Sequence, residues 1–154
     1  MLEMHDPELK KIVLKAEKYC AAEERCKNDL LVKLANWGVE PEKAQTILEH
    51  LEDENFLSEK RFAKMYTTSK VNQNKWGKVR IELELMKRNI PEKYISEAIN
   101  EIDEEKYLKN FNVLVSFKSK ESLDLNPLIR KQKIIAFLIS KGYEEDYIQQ
   151  NFHI

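Results

Sequence analysis

The sequence predicts an all-α protein made of three tandem three-helix repeats, laid out as an elongated array that small rotations between neighbours can curve. Three observations predict it. First, the chain matches itself: Trp37-Gly38-Val39, Arg88-Asn89-Ile90 and Lys141-Gly142-Tyr143 superpose, which brings Leu34, Leu85 and Leu138 into register. Leu30, Ile81 and Ile134 then coincide upstream, and Ala44, Ile95 and Ile148 downstream, at offsets of 51 and 53 residues. Self-similarity of this length marks stacked supersecondary units that cannot bury their apolar faces alone. Second, 154 residues hold only 3 Gly and 4 Pro, too few turn formers for an all-β fold. Third, apolar residues recur at helical spacing, and 34% of the chain is charged, as expected of helices with solvated outer faces.

Taken in order, the first helix runs from about Pro7 to Glu24. Asp6 is its N-cap, Pro7 suits the first helical position, and Leu9, Ile12, Val13, Ala16 and Cys20 share one face. Asn28 is the expected cap of the second helix, which buries Leu30, Leu31 and Leu34 and ends at Gly38 in a left-handed turn. Pro41 restarts the chain, and Ala44, Ile47, Leu48 and Leu51 line a short third helix. The plan then repeats. Ser58 caps a helix to about Ser69, with Phe62, Ala63 and Tyr66 inward. A helix over Trp76–Arg88 follows, then a turn at Asn89, which tolerates the left-handed conformation, and a helix over Pro91–Ile102. In the last unit Asp103 caps a helix carrying Tyr107, Leu108, Phe111 and Leu114. Ser116–Asn126 is the expected linker, Asn126-Pro127 opens the next helix, and Tyr143–Phe152 is a short final one. The repeats accordingly span 7–57, 58–102 and 103–154.

Composition narrows the function. No apolar run approaches the roughly 20 residues of a membrane span, and the opening segment MLEMHDPELKK lacks the apolar core of a signal peptide, so a cytoplasmic protein is expected. Cys20 and Cys26 fit neither a redox pair nor a zinc spacing and read as reduced thiols. His5, His50 and His153 are scattered, and no glycine-rich phosphate loop or nucleophile elbow is present, so no metal, cofactor or catalytic residue is expected. The acids of Glu52-Asp53-Glu54 point in different directions from a helix end and read as a solvated terminus. The net charge of −1 hides a separation. Residues 40–59 hold 7 acids and 1 base, a net of −6, whereas residues 60–93 hold 10 bases and 3 acids, a net of +7. Such a split concerns partner choice, not fold. The basic block makes Arg61, Lys64, Lys70, Lys75, Lys78, Arg80, Lys87 and Arg88, with Arg25 upstream, candidate contacts to phosphate or to an acidic protein surface. Trp76, inside the block, reads as a packing anchor, or else as a base-stacking platform.

The same residues resemble a known family. Leu57, Arg61-Phe62-Ala63, Tyr66, Lys70, Gly77, Arg80-Ile81, Leu85 and Arg88-Asn89-Ile90 look like the central motif of the RecX family of RecA regulators; Arg25, Leu30 and Leu34 are similar to its first-unit pattern. The likeness covers about residues 15–152, with Lys70 where the family often has Arg and Asn89 where it often has Gly. It implies a modular, non-enzymatic protein that binds RecA filaments on single-stranded DNA and restrains strand exchange, ATP hydrolysis and co-protease activity in DNA repair and the SOS response; a monomer is expected. Direct DNA contact would run through the middle repeat. Two other readings stay open from the residues themselves: a helical adaptor for another protein, and a direct DNA-binding module.

Overall fold

A computed structural model describes residues 6–153; the first five residues of the segment read for a signal peptide, His5 among them, lie outside that range. Among the described residues the protein is all-α. The helices are α1 (Pro7–Ala22), α2 (Lys27–Asn36), α3 (Pro41–Asp53), α4 (Glu59–Ser69), α5 (Lys78–Lys87), α6 (Glu92–Asn100), α7 (Glu104–Glu121), α8 (Pro127–Ser140) and α9 (Glu145–Asn151). A π-helical turn, Lys70–Asn74, extends α4.

The capping chemistry explains most boundaries. The side chains of Asp6, Ser58, Asp103 and Asn126 accept hydrogen bonds from the first-turn N–H groups of α1, α4, α7 and α8. Gly38 (φ 78°), Asn89 (φ 58°) and Gly142 (φ 100°) end α2, α5 and α8 in the left-handed conformation, which glycine and asparagine adopt most cheaply. Several expectations need correction. Asn28 does not cap α2: the helix starts at Lys27, and the Asp29 carboxylate accepts the Cys26 N–H at 3.1 Å. The second helix of the middle unit starts at Lys78, because Lys75 at φ 55° and the tight approach of Gly77 hold the preceding residues out of it. Ser116–Asn126 is no linker. Leu114 and the half-buried Val115 keep α7 packed on α8, so it continues to Glu121 and leaves only five residues before α8. Leu31 is exposed, and α3, at 13 residues, is longer than α2, at 10.

Buried apolar residues fall into three clusters, one inside each helix triplet. The nine residues that define the self-match are all in them: Leu30, Leu34, Ile81, Leu85, Ile134 and Leu138 are fully buried, and Ala44, Ile95 and Ile148 nearly so. Cys26, from the start of the second helix of the first triplet, is buried in the middle cluster, and Ile102 packs against both the middle and the last.

The triplets meet through one recurring contact. The first N–H groups of a helix have no partner within it. In α5 the next triplet supplies them: Gly77 N–H donates to the Lys141 carbonyl (2.8 Å), Lys78 N–H to the Tyr107 hydroxyl (2.8 Å) and Val79 N–H to the Gly142 carbonyl (2.9 Å). The Tyr107 hydroxyl in turn donates to Glu144 Oε1 at 2.7 Å, and burial raises its pKa well above the usual tyrosine value. In α2 the Lys27 N–H donates to Glu59 Oε2 at 3.3 Å, and Asn28 Oδ1 accepts from Asn89 Nδ2 at 3.2 Å. Lys27 and Lys78 are 51 residues apart, and Asn89 and Gly142 53 apart, so both junctions use equivalent positions. The left-handed end of α8 abuts the start of α5, and that of α5 abuts the start of α2.

The second junction has no room to spare. A Cβ on Gly77 would lie 2.2 Å from the Gly142 carbonyl carbon, and one on Gly142 would lie 2.3 Å from Arg80 Cβ, whereas a Cβ on Gly38 meets nothing within 4 Å. Gly77→Ala is therefore expected to cost about 3 kcal/mol or more, since the clash is with backbone that cannot rotate away. Gly38→Ala should cost only about 1–2 kcal/mol, for the left-handed conformation. Urea melts of the two variants compare them directly. A second check concerns the thiols. Burial pushes Cys20 and Cys26 up to about 11. Because the folded value lies above the unfolded one, the thiols stay protonated in the native state at pH 8, and their contribution to stability falls as pH rises past 9. Native protein at pH 8 should react slowly with a disulfide reagent such as Ellman's, and both cysteines should react promptly in urea.

Candidate functional site

The middle triplet carries the densest chemistry, and the π-helical turn creates it. Widening the chain after Ser69 sends Val71 into the core, where the buried Asn110 Nδ2 donates to its carbonyl at 2.9 Å. Lys75 then adopts a left-handed conformation that costs a lysine about 1–2 kcal/mol. It is held there by the Tyr143 hydroxyl, which donates to its carbonyl at 3.1 Å, and by the docked Gly77 beyond it. π-Turns and strained residues gather at working sites because only such sites repay their cost.

This turn brings Trp76 back onto Tyr66, ring centroids 6.3 Å apart and edge to face, while Tyr66 stacks on Phe62 at 5.7 Å. Three cations cover the pair. Lys70 Nζ lies 4.9 Å from the Trp76 ring and 5.3 Å from Tyr66; Arg80 Cζ lies 4.2 Å over Trp76; Arg88 Cζ lies 4.8 Å over Tyr66. Each such contact contributes about 0.5–1 kcal/mol at an exposed site and fixes where the charge points. Burial raises the Tyr66 hydroxyl pKa, with Arg88 opposing it. Glu84 accepts from Lys87 at 3.1 Å and from Arg88 at 3.3 Å, and the Lys87 hydrogen bond holds its carboxyl below the ordinary value. Lys141, which the sequence reading passed over, reaches the same turn, its Nζ 3.5 Å from the Asn74 carbonyl. Nothing in the sequence signals it, since its partner lies 67 residues away.

The ten residues singled out from the sequence do not form one patch. Lys70, Trp76, Arg80 and Arg88 come together, Lys75 leads into Trp76, and Lys87 shares Glu84 with Arg88. The others sit elsewhere. Arg25 stacks on Tyr19 at 3.8 Å, within the first triplet. Arg61 bonds Glu24 at 2.8 Å across the first junction. Lys64 pairs with Glu101 at 3.1 Å, and Lys78 with Glu104 at 2.7 Å. Lys75 makes no ion pair among the described residues. Trp76 packs against the middle core with two cations over its ring, the environment of an anchor more than of a bare stacking platform.

A second surface escaped the sequence reading. Asn28, Val32 and Ala35 on α2 are in register with Val79, Leu83 and Met86 on α5 and with Gln132, Ala136 and Ile139 on α8. All but the half-buried Asn28 are exposed, Val32 at 61%, Leu83 at 51% and Met86 at 55%. Nine equivalent outward positions without a charge, in a chain 34% charged, mark a face kept uncharged in every triplet. The self-match contained this signal, at the outward positions that a search for core residues ignores.

Among the described residues no group of three or more His, Cys, Asp or Glu could hold a metal ion, and no helix is long and apolar enough to cross a membrane.

Residues 58–99 match the family described as "RecX, second three-helix domain". The regulatory proteins RecX of Bacillus thuringiensis (strain Al Hakam) and Bacillus cereus (strain AH187) are each 26% identical over 146 residues, 95% of this chain and 54% of theirs. Over nearly its whole length the chain is similar to RecX regulatory proteins, and residues 58–99 are similar to the second three-helix domain of RecX. It spans about half the length of the curated relatives it matches. RecX crystal structures share its fold at 20% identity. One, of a regulatory protein RecX, superposes with a TM-score of 0.85 over 93% of this chain and 72% of that one. Another, of RecX from Lactobacillus salivarius, gives 0.81 over 92% of each. The segment matched to the RecX second domain holds the whole cation–aromatic cluster except Lys141.

The cluster predicts a spectroscopic result. Lys70→Ala and Arg80→Ala together should uncover the Trp76 ring, shifting its fluorescence and raising acrylamide quenching, while the melting temperature moves by only a few degrees. An unaltered emission spectrum and quenching constant would show that the cations do not sit over Trp76 in solution.

Proposed function

We propose that this protein binds RecA filaments formed on single-stranded DNA and restrains the strand exchange, ATP hydrolysis and co-protease activity of RecA. The relatives it resembles are named regulatory proteins, and this reading gives it no turnover of its own. The observation that carries the proposal is the cation–aromatic cluster of the middle repeat, in the very segment matched to the family's second domain. Cations fixed on aromatic rings are pre-organised for an anionic partner, because little side-chain entropy remains to be lost on docking. Lys75 and the half-buried Trp76 stand beside them, and the uncharged stripe of α5 belongs to the same repeat.

This reading takes residues 7–57, 58–102 and 103–154 as three units of one array, acting in the cytoplasm where RecA works. Bound along a polymer, such an array can touch more than one subunit and bias the filament toward the state it binds better. Lys64, Lys78 and Arg88 are poorer candidates for contact, since each already holds a glutamate, whereas Lys70, Lys75 and Arg80 are the better ones.

Co-sedimentation with RecA filaments, with ATP turnover read alongside, tests the proposal. The protein should pellet with filaments and slow turnover, more weakly as salt rises. Lys70→Glu, Lys75→Glu and Arg80→Glu together should weaken pelleting at least about tenfold. Unaltered binding of that variant would remove the cluster from the interface. Equal affinity for bare single-stranded DNA would support a DNA-binding module instead, and binding to neither an adaptor for another protein.

A further inference from the structure

Helix α7 has a second face that its own triplet does not use. Tyr107, Asn110, Phe111 and Leu114 turn inward. On the outer side, Lys109, Val113, Phe117 and Glu121 recur every four residues, forming a single ridge, and all four are exposed, Val113 at 45% and Phe117 at 57%. Leu108, Asn112, Ser116 and Lys120 form the parallel row beside it, also exposed, and short Asn112 and Ser116 leave a groove between the rows. Ridges of this spacing pack into the grooves of a like helix at about −50°, the commonest helix crossing. Among the described residues α4 has no exposed large hydrophobic residue and α1 has only Leu14, so this face is peculiar to the last triplet.

The ridge is complementary to itself. It reads basic, apolar, apolar, acidic from Lys109 to Glu121. A two-fold axis between Val113 and Phe117 reverses that order on a second copy. Each Lys109 then faces the other copy's Glu121, and each Val113 the other copy's Phe117, as a closed isologous contact requires. Lys109 has no ion-pair partner among the described residues, and Glu121 is bound only by Lys118, through Oε2 at 3.2 Å. A parallel arrangement would set lysine against lysine and glutamate against glutamate, so the charges select the antiparallel one.

We propose that the outer face of α7 is a homodimer interface, in which two copies of this chain pair antiparallel about the Val113–Phe117 ridge. This departs from the monomer that the sequence reading expects. One helix pair buries less than the roughly 1,200 Å² at which specific complexes become tight, so the dimer is weak and forms at micromolar concentrations.

Sedimentation velocity of the full chain from about 1 to about 500 µM reads it out. The sedimentation coefficient should climb with concentration from the monomer value toward the dimer value. Lys109→Glu, which opposes glutamate to glutamate at both ends, should weaken association at least about tenfold. Adding Glu121→Lys restores the pairing with the signs exchanged, and association should return to within about threefold of the unaltered chain. Phe117→Lys should stay monomeric throughout. Because Phe117 also rests against Phe137 at 6.3 Å, a melting curve accompanies that variant, and the charge-swap pair tests the interface without touching the core. A monomer at every concentration, or a double variant no better than Lys109→Glu alone, would overturn the proposal; so would a dimer indifferent to both Lys109→Glu and Phe117→Lys.

Discussion

The fold depends on a debt at the start of each second helix. The opening N–H groups of α2 and α5 have no partners within their own helices, and each takes at least one from the next triplet. At the first junction the acceptor is a side chain, Glu59, while Asn89 of the same neighbour donates to the Asn28 side chain. At the second they are backbone carbonyls and a tyrosine, which demands the Gly77–Gly142 approach. The third case shows the same rule from the other side. Lys131 is the counterpart of Lys78, yet α8 starts a turn earlier and closes itself with Asn126. A helix that provides its own cap needs no neighbour there.

The second junction also builds the candidate site. Lys75 is strained, and Trp76 follows it onto Tyr66 only because Tyr143, Asn110 and Gly142 of the last triplet fasten the turn from behind. Packing energy at one interface is thereby converted into a fixed arrangement of cations a short distance away. Lys70, Arg80 and Arg88 are pre-set before any partner arrives.

The sequence displayed the parts of this that are local or periodic. Leu34, Leu85 and Leu138 could be found because a repeated core leaves a repeated pattern, and Gly38, Asn89 and Gly142 because a left-handed turn narrows the choice of residue. What depends on distant pairs was hidden. A net charge of +7 over residues 60–93 suggested one basic face, but Lys64 and Lys78 are paired with Glu101 and Glu104, which lie outside that window. The π-helical turn has no composition signal, since it arises from where Val71 and Gly77 are pinned. Residues 116–121 read as linker because they are polar, yet half-buried Lys118 and Ser119 lie along an amphipathic helix whose inner contacts are set by α8. Gly77 has no local sign of its role, because its reason for being glycine lies 65 residues away, at Gly142.

Amide hydrogen exchange at Gly77, Lys78 and Val79 tests the central claim most directly. First-turn amides normally exchange almost as freely as those of a loop, having no partner in their helix. If the neighbouring triplet holds them, all three should be protected nearly as strongly as Ile81 and Leu85 in the core of α5, and should exchange only when the two triplets open together. Rapid exchange at these three positions, beside a well-protected Leu85, would mean that the triplets merely touch, and that nothing fixes the turn carrying Trp76.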